Sequence, residues 1–188
     1  MQKSWIMWFE KIIDDGRLWA VKYDEKQENA FSEVFGQWND YEWLENFFSE
    51  NLEDLSSYFH ITDIDKAIFD TVDDAYALEC LIMDLSPETR LDDLFRPLEN
   101  TRASEVILGR EKAKGTNHTH ASWLRLYAIR LESGRYIITG GALKLTATMQ
   151  EREHTLAELI KLNQVRDFLI EQGVFDIEGL NELSNEDK

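Results

Sequence analysis

The chain lacks most of the features that identify a disulfide scaffold, a membrane protein or a common cofactor enzyme. It has 1 cysteine and 2 prolines in 188 residues, which excludes a disulfide within the chain and a cysteine metal cluster. No apolar run approaches the roughly 20 residues of a membrane span, and Glu10 is an acid too early for a signal peptide. Phosphate-binding glycine loops and nucleophile elbows are also missing. We therefore expect a cytoplasmic protein.

Basic residues are scarce and unevenly distributed. The chain carries 20 Lys and Arg against 37 Asp and Glu, a net charge of −17. Residues 1–100 hold 24 acids and 8 bases, residues 101–154 hold 9 bases and 5 acids, and residues 155–188 hold 8 acids and 3 bases. A protein this acidic is repelled by nucleic acid overall. Contact with a polyanion, or chemistry on one, is therefore expected in the segment 101–154.

The hydrophobic pattern predicts an α+β fold, with helices packed on an antiparallel, twisted sheet. Asp14-Asp15-Gly16 between apolar runs indicates a hairpin, and apolar spacings of three and four indicate helices after it. Asn29 or Asn39 is the predicted cap of such a helix. We predict one domain over 1–180 and a flexible tail over 181–188. The predicted parts are a β-hairpin (1–27), an acidic helical segment (28–100), a basic strand meander (101–154) and a helix (155–173).

Within the meander, strands are predicted at 104–108, 122–131 and 135–145, with a polar basic loop at 109–120. The paired Gly140 and Gly141 indicate a bulge or a close backbone approach. Thr155 and Glu158 have the spacing of a capping box at the start of the last helix, which Gly173 ends.

Alternation sorts the strand 122–131 into two faces. Leu124, Leu126 and Ala128 are predicted to face the core, and Trp123, Arg125 and Tyr127 the other side. An arginine between two aromatics on an open face suits single-stranded RNA, because bases stack on aromatic rings while guanidinium pairs with phosphate. The alternative is ordinary packing beneath a helix, with Arg125 in a salt bridge.

Lys144, His118 and His120 are candidates for chemistry at a phosphate. Lys144 lies between Leu143 and Leu145, where its pKa is expected to fall and its amine to stabilise anionic charge. The alternative is a lysine that extends from a sheet edge to solvent. Either histidine suits general acid or base work, or else lies in a solvated loop. No third ligand completes a zinc site with them, so neither a metal nor a cofactor is expected.

Several segments together resemble the RelE/ParE/HigB toxin superfamily of bacterial toxin–antitoxin systems. They cover about 40% of the chain, and they are Phe95-Arg-Pro-Leu-Glu-Asn100, a strand over 104–110, Trp123-Leu-Arg-Leu-Tyr127, Ile137-Ile-Thr-Gly-Gly-Ala-Leu-Lys-Leu-Thr146 and the helix from Thr155 to Phe168. By position Arg125 matches the strand arginine of the family, and Lys144 and Thr146 match its Lys-Lys-Thr strand end. Arg110 is a loose match to a further arginine. Leu145 replaces the second lysine, and this chain is longer and more acidic than is usual in the family.

The resemblance implies a toxin-like endoribonuclease that acts on mRNA at the ribosome and is neutralised by a protein antitoxin. The catalytic residues it implies are Arg125 and Lys144 at the phosphate, with Tyr127, His118 or His120 in proton transfer. The expected RNA contacts are Arg110, Lys112, Lys114 and Trp123. The alternative is a non-catalytic acidic protein, a regulator or nucleic-acid mimic, that binds a basic partner. A nuclease requires Arg110, Arg125 and Lys144 on one open concave surface, whereas the alternative pairs them with acids such as Glu105 or Glu132.

Overall fold

The computed structural model describes residues 6–84, 90–98 and 106–186. Six strands form one sheet in the order β1-β2-β6-β5-β4-β3. The strands are β1 (Met7–Lys11), β2 (Leu18–Tyr23), β3 (Arg96–Pro97), β4 (Gly109–Lys114), β5 (Leu124–Glu132) and β6 (Arg135–Leu143). The helices are α1 (Ala30–Trp38), α2 (Tyr41–Glu50), α3 (Leu52–Phe59), α4 (Ile64–Met83), α5 (Glu153–Glu171) and α6 (Ile177–Glu186). The predicted α+β class is confirmed.

The sheet is mixed, so the prediction of an antiparallel sheet was wrong at one pair of strands. The hairpin forms as predicted, with Gly16 at a φ of 79° in its turn. Its second strand, β2, then pairs in parallel with β6, Leu18 opposite Tyr136. The other strand pairs are antiparallel. Pairing of distant strands depends on tertiary packing, which local patterns do not report.

Helices cover both faces of the sheet. On one face α1–α4 bury an apolar cluster that includes Leu124, Leu126 and Ala128 of β5. On the other face α5 and α6 bury a second cluster that includes Tyr127 and Ile129. The strand β5 is thus buried on both sides, which explains its nearly continuous apolar sequence. The prediction of an open sheet face at this strand was therefore wrong, and the alternative of packing beneath a helix is confirmed.

The acidic helical segment divides into four helices because polar caps interrupt it. Asn29, Asp40 and Asp63 accept hydrogen bonds from the backbone amides three residues on, at the starts of α1, α2 and α4. The predicted cap at Asn29 is confirmed, whereas Asn39 ends α1. A two-pronged ion pair joins this helical layer to the basic segment: Arg152 donates to both carboxylate oxygens of Asp54, at 2.7 and 2.6 Å.

The meander β4-β5-β6 and the helix after it are present, but their predicted boundaries were wrong in two places. The first strand lies at Gly109–Lys114, inside the predicted loop, and all six of its residues pair with β5. The capping box joins Thr148 to Glu151 instead of Thr155 to Glu158, and α5 begins at Glu153. Helix α6 covers most of the predicted flexible tail. The first two residues of the strand predicted at 104–108, among them the proposed acid partner Glu105, lie outside the described residues.

The two adjacent glycines of β6 serve both purposes that the sequence suggested. The register of β5 and β6 shifts after Tyr127, which pairs with Gly140 while Ala128 pairs with Ile138, a β-bulge. A Cβ added to Gly141 would lie 2.7 Å from Val34 of α1, and one on Gly140 would lie 2.0 Å from Glu158 of α5. Helices therefore approach this strand closely from both sides.

Candidate nucleic-acid interface

Basic side chains collect on the sheet face that α5 covers. Register places Arg110 opposite Ile129, Lys112 opposite Tyr127 and Lys114 opposite Arg125. Residues opposite each other in neighbouring strands project from the same face of a sheet. Tyr127 and Ile129 belong to the cluster beneath α5 and α6, so the cations of β4 share that face. The charged sequence of β4 suggests a loop, yet its alternation buries Glu111 and Ala113 on the opposite face.

Four of the predicted residues line one cavity of about 390 Å³: Arg110, Lys112, Tyr127 and Lys144. Its remaining walls are Leu98, Leu159 of α5, and the segment 147–150 that follows β6. The sheet supplies the floor, and the start of α5 with the turn before it supplies one side. We call this space the basic cavity. Its volume falls within the range of small-ligand sites, roughly 300–1,000 Å³.

The two lysines of the basic cavity have no carboxylate partner among the described residues. The Lys144 amine donates to the carbonyl oxygen of Ala147 at 2.7 Å, and the Lys112 amine to that of Leu98 at 3.3 Å. Burial, together with neighbouring cations that include Lys114 and Arg125, lowers the pKa of both lysines below the ordinary value. Glu151 partly opposes this at Lys144. An anion entering the cavity would relieve that repulsion.

Arg110 and Arg125 occupy different positions relative to the basic cavity. Arg110 lines it, and donates to the side-chain oxygen of Asn163 on α5 at 2.9 Å. Arg125 is not among its lining residues. The Arg125 guanidinium donates to the carbonyl oxygens of Ser122 and Leu124, at 2.7 and 2.8 Å, and burial lowers its pKa. Arg125 therefore holds the start of β5 and adds positive potential from behind the cavity wall.

Tyr127 brings a polar group without a partner to the basic cavity. Its side chain is fully buried, and its hydroxyl makes no hydrogen bond to the described residues. Burial raises the pKa of Tyr127, and the charge of Glu158 adds to that rise. The phenol is therefore neutral near pH 7 and able to donate. Buried hydroxyls usually have a partner, so an unpaired one in a cavity wall indicates a place for a bound acceptor.

Glu158 is a residue that the sequence pointed to only as a helix cap. Its side chain lies over Gly140, which pairs with Tyr127, and one of its carboxylate oxygens has no hydrogen-bond partner. The other oxygen accepts from Lys161 at 2.8 Å. Burial raises the pKa of Glu158 despite that lysine. The signal that was available is the glycine pair itself, because a glycine in a strand marks a close neighbour.

The histidines lie elsewhere, which corrects their predicted placement beside Lys144. His120 contacts a carboxylate oxygen of Asp70 on α4 at 2.9 Å and stacks on the Trp123 ring at 4.5 Å between centroids. His118 lines a separate cavity of about 280 Å³ with Asp73 and Asp74 of α4. Neither histidine is among the residues that line the basic cavity. The reason is that 115–121 turns toward the α1–α4 side of the sheet.

Trp123 was predicted to stack on RNA, and the structure contradicts this. The side chain is fully buried, and its indole N–H donates to the hydroxyl of Thr71 at 2.9 Å. Its ring packs edge-on against Phe48 and Phe59. Trp123 precedes the first residue of β5, so strand alternation does not yet govern where it points. Lys114, by contrast, is exposed beside the basic cavity, where an RNA contact remains open to it.

Within 6–84, 90–98 and 106–186, no three His, Cys, Asp or Glu residues are grouped so as to hold a metal ion. None of the helices in these ranges has the length and apolar character needed to cross a membrane.

Comparison with known proteins gives no relative from which to assign this site. No protein-family model, no curated protein and no solved structure matches the chain.

Proposed function

We propose that the basic cavity binds the phosphodiester backbone of RNA and that the chain is a toxin-like, metal-independent endoribonuclease. The observation that carries this proposal is the meeting of Arg110, Lys112 and Lys144 with the unpartnered Tyr127 hydroxyl in one cavity. The two lysines lack carboxylate partners among the described residues. Cationic donors around an open volume are what a phosphate diester requires.

The acidic half of the chain is compatible with RNA binding because of where it lies. Helices α1–α4 pack on the sheet face opposite to the basic cavity. At physiological salt, the interaction between exposed charges is largely screened beyond about 8 Å. The sheet and its two layers of side chains separate the acids from the cavity. Glu132, an acid that could have neutralised the site, instead pairs with Arg135 at 3.4 Å.

The cavity residues suit cleavage by the neighbouring 2′-hydroxyl of the RNA. In the proposed step the 2′-oxygen attacks phosphorus, the bond from phosphorus to the 5′-oxygen breaks, and a 2′,3′-cyclic phosphate forms. Water takes the 2′-hydroxyl proton, and the Tyr127 hydroxyl gives a proton to the departing 5′-oxygen. The Lys144 ammonium binds a phosphate oxygen. Arg110 and Lys112 stabilise the extra negative charge at phosphorus, a role whose loss typically costs about 100- to 1000-fold.

This assignment moves catalysis away from three of the residues predicted for it. His118 and His120 have no part in it, and Arg125 supports the cavity without contacting the phosphate. Messenger RNA at the ribosome as substrate and a protein antitoxin as partner follow from the resemblance to RelE-like toxins. They are part of the proposal.

The test in cells is induced expression in a bacterial host, with growth and mRNA integrity followed over time. The wild type is compared with Lys112→Ala/Lys144→Ala and with the matched control Lys22→Ala/Lys26→Ala. The control removes the same charge from surface ion pairs, which contribute little to stability. Arrest with mRNA loss in the wild type and control, but not in the cavity variant, supports the proposal. Abundant folded protein without arrest contradicts it.

The test in solution is binding of a short single-stranded RNA to the same three proteins, measured by fluorescence anisotropy. We expect the cavity variant to bind at least tenfold more weakly, since each lysine removed forfeits a phosphate contact. Equal affinity of all three proteins would exclude the cavity as an RNA site. The non-catalytic alternative predicts no RNA binding by any of them.

A further inference from the structure

Helix α4 exposes large apolar side chains along the side that faces away from the sheet. Phe69 is 70% exposed and Tyr76 is 68% exposed. Cys80 and Met83 continue the same line, since spacings of seven, four and three residues return to one side of a helix. We call these four residues the α4 strip. It extends about 21 Å at 1.5 Å per residue, and clustered exposed aromatics of this size mark interaction sites.

Acids flank the α4 strip on both of its sides. Asp65 and Glu79 lie along one edge, and Asp73 and Asp84 along the other, by helical position. Lys66 is the single cation of α4, and its amine contacts Asp70 at 2.6 Å. The flanking acids are therefore not neutralised by their own helix. A second copy of this chain would bring like charges together on the strip, so homotypic docking is disfavoured.

We propose that the α4 strip docks a basic amphipathic helix of a protein partner. Apolar side chains at helical spacing on the partner pack on Phe69, Tyr76 and Met83, the mode in which a helix face recognises another helix. Lysines and arginines on both flanks of that helix face the acids of α4. This inference does not depend on the ribonuclease activity proposed above.

The position of α4 sets what such a partner does to the basic cavity. Ala67, Ile68 and Leu78 of α4 pack in the cluster on the opposite sheet face from Tyr127. A helix bound on the strip therefore leaves the basic cavity open, and both ligands bind at once. The partner recruits or localises the protein, and it blocks the cavity only through parts that reach beyond the strip.

The probe is a fluorescent synthetic peptide of about 18 residues, which as a helix spans the strip with a turn to spare. It carries leucines at spacings of three and four with lysines on both flanks. A matched peptide has glutamate in place of each lysine. Binding to the full chain is measured by anisotropy, and we expect the lysine peptide alone to bind. If both peptides bind equally, or neither binds, the proposal is overturned.

Two protein variants separate docking on the strip from attraction by bulk charge. Phe69→Ser/Tyr76→Ser removes the anchors, and Ile160→Ser/Phe175→Ser removes two side chains that are 48% and 45% exposed outside the strip. We expect the first variant to bind the lysine peptide about 10- to 100-fold more weakly and the second to bind it unchanged. Equal affinities would mean charge attraction alone.

Two further measurements locate the peptide. The first uses the unmodified chain, so that misfolding of a variant cannot explain its result, and the second distinguishes binding at the α4 strip from binding in the basic cavity. In the unmodified chain, the peptide is expected to slow amide hydrogen exchange across 64–83, and a change confined to other helices would overturn the proposal. Lys112→Ala/Lys144→Ala is expected to bind the peptide with unchanged affinity. Loss of peptide binding in that variant would place the peptide in the basic cavity instead.

Discussion

The two faces of the sheet handle charge in opposite ways. Beneath α1–α4, three buried carboxylates have donors: Asp54 binds Arg152, Asp70 binds Lys66, and Asp74 accepts from Ser122 and Asn117. One carboxylate oxygen of Glu111 on the same face has no partner. Beneath α5, Lys112 and Lys144 line the basic cavity with no ion pair to a carboxylate of the described residues, and the Tyr127 hydroxyl has no partner.

Paired groups are what a structural role requires, because an unpaired buried group costs about 1–3 kcal/mol. Unpaired groups that converge on a cavity lower stability and suit a ligand that completes them. The difference between the faces therefore separates polar residues that hold the fold from those that are available for function. Perturbing each face in turn tests this separation.

Replacing Trp123 should produce the largest loss of stability, because it ties the α1–α4 layer to the sheet. Trp123→Ala removes a fully buried ring and the hydrogen bond to Thr71, and we expect a loss of about 3–5 kcal/mol. Chemical denaturation measures it, with Trp123→Phe as the milder comparison. A loss below 1 kcal/mol, together with weaker RNA binding, would instead restore Trp123 as an exposed RNA contact.

Gly140→Ala should have the next largest effect, now on the α5 face. The added methyl group would lie 2.0 Å from a carboxylate oxygen of Glu158, and we expect a loss of about 1–3 kcal/mol. Gly36→Ala is the control, since nothing lies within 4 Å of its Cβ, and on helix α1 it should gain about 0.5–1 kcal/mol. Combining Gly140→Ala with Glu158→Ala should restore part of the loss. Without that rescue, contact with Glu158 is not the reason for the glycine.

The salt dependence of RNA binding should show a smaller effect, whose size follows from the number of lysines removed. Lys112→Gln and Lys144→Gln each remove one phosphate contact, so the slope of log affinity against log salt should become shallower by about 0.7 each for a single strand. Lys26→Gln, which breaks an ion pair with Glu33, should leave the slope unchanged. Equal slopes in all variants would show that the lysines of the cavity do not meet phosphate.

The smallest effect should be a shift in the pH dependence of RNA binding. The pKa values of Lys112 and Lys144 lie below the ordinary lysine value in the free protein. As the pH rises, both lysines therefore lose their charge at a lower pH than exposed lysines do. RNA affinity should fall with increasing pH before an exposed lysine would titrate, and Lys112→Arg/Lys144→Arg should flatten that fall. Identical profiles would contradict the role of these amines.

Periodicity predicted the class of fold, because hairpin, helical segment and meander are each specified by local pattern. Gly16 in a tight turn and the cap at Asn29 are examples. The cations of the cavity were also predictable, since charge composition alone marked the segment that carries them. Residue type could not place β4, whose Arg, Glu and Lys side chains suit a loop until alternation divides them between two faces.

What the sequence could not reveal depends on contacts between distant segments. The pairing of β2 with β6, the covering of both sheet faces, and the turn of His118 and His120 toward α4 all belong to this kind. The sequence pattern gave Trp123 a place on a strand face and Glu158 a role as a helix cap, in each case from residues nearby in the chain. The side chains that surround them belong to distant elements, among them α3, α4 and β6. Local patterns carry no information on those environments.

The parallel pair of β2 and β6 has a consequence for how the chain reaches its native state. The contact from Tyr23 to the backbone of Thr139 closes a separation of 116 residues. The conformational entropy of the chain between them is lost before the sheet gains its parallel pair. A ribosome releases the N-terminal hairpin and α1–α4 long before β6 exists. Until then one edge of β2 has no paired strand, and the apolar side of the helices is exposed to solvent. Completion of the fold must therefore wait until β6 has emerged, and the exposed edge and apolar side make this the interval of greatest risk of aggregation.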